Sequence, residues 1–186
     1  MQDRPAFIDF ESSGLSVDSY PIEAGVALAG EEAIASWLIR PTEEWQRAGE
    51  WDEIAETTIH GISQGELRSA GVPPHVVALN LNHLLQSCTA YCDGYERDRR
   101  WMDRLFEAAG MKPAFRLRPI EELLAATVLK SGLDKADAIE VIGRIRQEEE
   151  ERGRRHRAGP DAAGLRSLYE RVLSELTPSP PVMRIG

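Results

Sequence analysis

Phe7-Ile8-Asp9-Phe10-Glu11-Ser12-Ser13-Gly14-Leu15 is the stretch on which the reading of the whole chain turns. Residues 6–10 are apolar and β-prone, which predicts a strand. Asp9 and Glu11 lie two residues apart, and side chains at i and i+2 of a strand point to one face. Two carboxylates crowded at the end of a buried strand repel each other, and a bound cation or a raised pKa relieves the repulsion. Hard oxygen ligands so arranged suit Mg²⁺ or Mn²⁺. The plainer reading of an isolated Asp-x-Glu is a strand running into a solvated turn, with Glu11 exposed. The rest of the chain decides between the two.

At 186 residues there is room for one domain with a proper core, read as 1–186 with the core over about 6–176 and a Pro- and Ser-rich tail over 177–186. The 42% apolar and 28% charged residues are those of an ordinary soluble protein. No apolar run approaches the roughly 20 residues of a membrane helix. Met-Gln-Asp-Arg-Pro lacks the basic-then-apolar order of a signal peptide, so a cytoplasmic protein with no membrane partner is expected. Cys88 and Cys92 have no second cysteine pair and no His cluster beside them, which argues against zinc and for reduced thiols. A net charge of −9 argues against a general duplex-coating protein, because non-specific DNA affinity comes from Lys and Arg. It leaves local phosphate binding open, since bound metals offset acids and a few local arginines can hold a strand end. Arg97, Arg99, Arg100 and Arg104, then Lys112, Arg116 and Arg118, are the most basic region outside the late helix, read as a solvated helix face in preference to a phosphate track.

Along the chain, residues 21–29 and 33–39 read as two further strands, closing an antiparallel meander with the first. Residues 41–60 read as a long connection in which Trp45 and Trp51 either pin the chain to the body or stack on bases, the first being preferred. Ser63-x-x-Glu66 has capping-box spacing and predicts a short helix. Pro73-Pro74 starts a second helix, with 89–92 as a strand after it. Residues 115–118 read as the last strand, and Pro119 opens a helix to 130. From 134 to 155 a helical pattern has Ala136, Ile139, Ile142 and Ile145 inward and ends in a charged run over 148–155. Pro160 suits the first position of a last helix, with Asp161 in its first turn, His156 on the loop before it, and Leu165, Leu168, Tyr169, Val172 and Leu173 on its core face.

Asp9, Glu11, Ser12, Ser13, Gly14 and Leu15 resemble the first motif of the DEDD-type, DnaQ-like 3′-5′ exonucleases, with serines where threonines are more usual. In that family a fourth strand ends in Asn or Asp, and the acid of the second motif follows five residues later. Asp93 and Asp98 have this spacing, with Arg97 where Phe is usual. His156-Arg157-Ala158-Gly159-Pro160-Asp161-Ala162 resembles the third motif of the histidine-containing, DEDDh branch. His60-Gly61-Ile62-Ser63 is similar to a segment that lines the terminal-nucleotide pocket of these enzymes. Glu23 matches an acid often present on the family's second strand, without a role that local sequence assigns.

The resemblance, which runs over about residues 7–175, implies an α/β protein of RNase H-like exonuclease fold. Its sheet would be five-stranded and mixed, three antiparallel strands followed by two parallel to the first, with helices on both faces. It implies two-metal phosphodiester hydrolysis with Mg²⁺, for which Mn²⁺ substitutes. Asp9 would bridge both ions, Glu11 and Asp161 would complete the site at which water is activated, and Asp98 would hold the second ion. His156 would be the general base, a role that suits an imidazole. Ser12, Gly14, Leu15, His60, Ile62 and Asp93 would face the substrate. The implied partner is the 3′ end of single-stranded DNA or RNA, with a homodimer or a polymerase-type partner left open. Two rivals stand beside it: an exonuclease-fold module that binds without cutting, and a phosphodiesterase acting on a short oligonucleotide or nucleotide signal.

Overall fold

The apolar N-terminal run forms β1 (Ala6–Ser12) in the computed structural model, which describes residues 4–151, 153 and 156–177. β2 (Pro21–Leu28) pairs antiparallel with β1, setting Phe7 opposite Ala27, Asp9 opposite Gly25 and Glu11 opposite Glu23. β3 (Ile34–Leu38) continues the meander on the far side of β2. β4 (Thr89–Cys92) lies parallel to β1, and β5 (Arg116–Pro119) parallel to β4, giving the order β3-β2-β1-β4-β5. The expected five-stranded mixed sheet is present.

Residues 41–60 depart from the expected loop. They form α1 (Glu43–Ala48), α2 (Glu53–Ala55) and a π-helical turn (Glu56–His60). The physical reason lies in two caps: Thr42 accepts the Trp45 N–H at 3.1 Å, and Asp52 accepts those of Ile54 and Ala55 at 2.8 and 3.2 Å. Each satisfies donors that a helix start leaves free. Trp45 is buried and stacks on Tyr20, with ring centroids 5.5 Å apart. The Trp51 indole donates to Glu56 at 2.8 Å. Both tryptophans hold the segment to the body of the protein.

α3 (Gln64–Ala70) begins at Ser63, whose hydroxyl accepts the Glu66 N–H as the capping spacing predicted. α4 (Pro74–Leu85) and α5 (Tyr95–Ala108) cover one face of the sheet. There Ala6, Ile8 and Phe10 of β1 meet Ile22, Ala24 and Val26 of β2, Val77 and Leu81 of α4, and Trp101 and Leu105 of α5. α6 (Ile120–Ser131), α7 (Lys135–Glu151) and α8 (Ala158–Leu176) cover the other face, where Phe7 packs with Ile120, Leu124, Ile145, Leu168 and Val172. β1 is thus sealed on both sides over its first half, as strands between two helical layers are.

Two helices present a different face from the one expected. In α7, Ala138 and Ile145 are buried with Val141 and Ile142 packed beside them, while Ala136 is exposed and Ile139 is 59% exposed. The inward stripe follows the i, i+3, i+4, i+7 spacing of a 3.6-residue helix, and a strict step of three drifts off it. α8 starts at Ala158, two residues earlier than Pro160 implied, and Leu173 lies at its surface. Proline is tolerated throughout a first turn because those N–H groups have no intrahelical acceptor. Residues 178–186 of the expected tail over 177–186, and Arg152, Arg154 and Arg155 of the charged run, lie outside the described residues.

Candidate active site

Asp9 and Glu11 leave β1 on the face that α8 covers, and Asp161 reaches them from the first turn of α8. One carboxylate oxygen from each lies within 4.8 Å of the others. This convergence has an electrostatic consequence. Glu11 is pushed up to about 8, first by burial, then by the charges of Asp161 and Glu23, with Arg157 opposing. Three clustered acids, one of which resists ionisation, make a donor set of hard oxygens that fits a divalent cation such as Mg²⁺ or Mn²⁺.

Asp98 sits in the first turn of α5, 4% exposed, and lines the same cavity of about 380 Å³ without joining the three-carboxylate cluster. It accepts the Gly94 N–H at 3.2 Å and hydrogen-bonds the Cys92 thiol. Burial raises it to about 6 in spite of both bonds. The Cys92 thiol, buried beside that carboxyl, is pushed up and stays protonated. His156 also lines the cavity, from a left-handed backbone at φ 48° immediately before the extended Arg157.

Every other sequence-predicted site residue except Ile62 lines this cavity: Ser12, Gly14, Leu15, His60 and Asp93. Ile62 is fully buried in the core, which removes it as a substrate contact. Gly61 ends the π-helical turn at φ 67°, and Ile62 follows it inward. The Ile62 N–H donates to His60 Nδ1 at 3.0 Å, so the ring proton of neutral His60 lies on Nε2. That Nε2 is buried and has no hydrogen-bond partner among the described residues. Burial holds the imidazole below its usual pKa, hence neutral.

Some lining residues were not singled out in sequence. Ile54 and Ile59 stand 70% and 47% exposed at the cavity, and with Leu15 at 69% they make an apolar rim from two separate segments. Branched apolar residues inside an otherwise polar stretch were the available signal. Arg97, which replaces the expected Phe, and Trp101 also line the cavity. Asp93 faces both this cavity and an adjoining one of about 260 Å³, together with Arg146, Glu149 and Asp161.

No protein-family model matches the sequence, and no curated protein matches it. Solved structures do match in shape. A zinc-bound E. coli ExoI–ssDNA complex superposes with a TM-score of 0.66 at 14% identity, over 94% of this chain and 41% of that one. The chain has the RNase H-like exonuclease fold. An E. coli Exonuclease I complex with a dA16 oligonucleotide gives a TM-score of 0.64 at 14% identity, over 94% of this chain and 42% of the other. The nuclease domain of 3′hExo, a DEDDh family member bound to rAMP, gives 0.64 at 16% identity, over 93% and 92% of the two chains. The exonuclease-fold chain therefore spans about two-fifths of the length of the E. coli enzyme and nearly all of the 3′hExo nuclease domain. No helix among the described residues is long and apolar enough to cross a membrane.

Proposed function

We propose that this chain is a metal-dependent 3′-5′ exonuclease of the histidine-containing branch, which shortens single-stranded nucleic acid and releases nucleoside 5′-monophosphates. The observation that carries the reading is the convergence of Asp9, Glu11 and Asp161 from two distant segments, with His156 and Asp98 on the same cavity. Similar solved structures are complexes with single-stranded DNA or with rAMP, which supports the substrate class.

Asp9, Glu11 and Asp161 would hold a divalent cation, with Asp98 contributing to a second, Mg²⁺ being the expected ion and Mn²⁺ its substitute. Such ions, when bound, stabilise charge on the attacking and leaving oxygens of the phosphodiester. His156 accepts the proton of the attacking water, and its loop position lets it approach the scissile phosphate. Leu15, Ile54 and Ile59 supply apolar surface against the terminal base. His60 contributes a neutral imidazole to the wall of the cavity, and Arg97 brings a cation to its phosphate side.

The test is product chemistry. Incubation with a 3′-hydroxyl oligonucleotide and Mg²⁺ should liberate 5′-monophosphates, EDTA should stop it, and internal fragments should be absent. Fragments from the middle of the strand, or turnover of dinucleotides alone, would replace the exonuclease reading with another phosphodiesterase.

A further inference from the structure

Glu23 is a charged residue in an otherwise apolar strand, and it is 2% exposed. Its carboxylate receives three hydrogen bonds. Arg157 donates from Nε to Oε2 at 2.9 Å and from Nη2 to Oε1 at 2.8 Å, and the Ala158 N–H donates to Oε2 at 2.9 Å. Ala158 is the first residue of α8, a helix whose own N-cap, Arg157, provides no side-chain cap. The cap therefore comes from 135 residues away in sequence.

Two strand positions make this docking specific. Glu23 and Gly25 are i and i+2 on β2, so both face α8, alongside Glu11 and Asp9 opposite them on β1. A Cβ on Gly25 would stand 2.1 Å from the Ala158 carbonyl, which only glycine at that position avoids. Gly25 thus admits the backbone of α8, and Glu23 locks it. His156 lies in the loop one residue before the locked arginine, and Asp161 three residues after Ala158, in the first turn of α8.

We infer that the Glu23–Arg157 pair is a positioning device that sets His156 and Asp161 against Asp9 and Glu11. Neither residue lines the cavity, and the inference rests on the proposed reading only for the consequence to catalysis. Residues that orient a metal ligand from behind typically change affinity or activity by about 10–100-fold when removed.

The experiment compares the wild type with Glu23→Gln, which keeps the shape and an acceptor for Ala158, and Arg157→Ala, which leaves the strand intact. Amide hydrogen exchange over 158–162 is expected to speed in both variants while exchange in β1 stays put. Mn²⁺ affinity by calorimetry should fall about tenfold, within that range. For hydrolysis, kcat should drop with KM nearly unchanged, and millimolar guanidinium should restore part of the loss in Arg157→Ala but none in Glu23→Gln. A pair that only stabilised the fold would lower the melting temperature without that selective rescue. Unaltered exchange over 158–162 in both variants would overturn the inference. Should the wild type prove neither to bind Mn²⁺ nor to cut, the exonuclease reading falls, and the exchange result alone decides the positioning role.

Discussion

Ala6, Ile8 and Phe10 point from β1 into the core closed by α4 and α5, whereas Phe7, Asp9 and Glu11 point from the same strand toward α8. The first face stays apolar through Phe10. The second starts as core at Phe7 and turns acidic within two residues, just where α8 presents Asp161. One strand therefore does two jobs in alternation: the apolar register fixes its depth, and that depth fixes where the carboxylates surface. The clustering opposes ionisation in the metal-free fold: burial and the charges of Asp161 and Glu23 push the Glu11 carboxyl up.

The largest effect should come from breaking the acidic face. Asp9→Ala is expected to abolish hydrolysis while leaving the metal-free protein as stable as the wild type or slightly more so, since a repulsive neighbour is gone. Melting curves beside turnover check both halves; wild-type turnover would break the assignment. His156→Ala should reduce the rate by roughly 10²–10⁴-fold, the size of a general-base contribution, and should change the shape of the pH–rate profile. An unchanged profile would remove the base role.

The apolar face should respond in the opposite sense. Ile8→Ala leaves a cavity between two layers, and a cost of about 2–5 kcal/mol is expected in denaturant unfolding. Below its melting temperature that variant should keep near-normal kcat, which separates the structural face from the chemical one.

Much of this contrast was legible in the sequence, because strands announced themselves as β-prone runs between Gly and Pro, and acids inside them are conspicuous. The three motif segments could be read in order without knowing what lay between. What escaped was of two kinds. Short capped elements were absorbed into a loop: Thr42 and Asp52 nucleate helices too brief for periodicity to register, and the apolar rim at Ile54 and Ile59 went with them. Non-local pairings were the other. Nothing near Glu23 identifies Arg157 as its partner, and nothing near Ile62 says that Gly61 turns it inward. Counting by threes along α7 misplaced a face because a helix turns every 3.6 residues.

A smaller effect follows from protonation. Glu11 has an ordinary pKa of 4.5 and stands at about 8 in the folded protein, so the fold holds a proton there that the unfolded chain releases. Its contribution is full below about pH 4.5 and is lost as pH rises toward 8, and Asp98 at about 6 adds the same sign over a lower range. Metal-free protein should therefore melt lower at pH 8 than at pH 5, and Glu11→Gln should shrink the difference. Mn²⁺ at a hundred times its pH 8 Kd should restore about 2.7 kcal/mol there, and the same concentration should shift Tm less at pH 5, where binding must displace the proton. A shift that is larger at pH 5 would contradict the placement of the ion among these acids.

The most direct measurement is digestion of 5′-labelled single-stranded DNA and RNA oligomers with Mg²⁺, Mn²⁺ or EDTA, beside Asp9→Ala. A metal-dependent ladder shortening from the 3′ end, absent in the variant, is the predicted result, and the polymer that yields it identifies the sugar. Intact oligomers of both kinds under every metal, from a protein that binds Mn²⁺ at this site, would contradict the account.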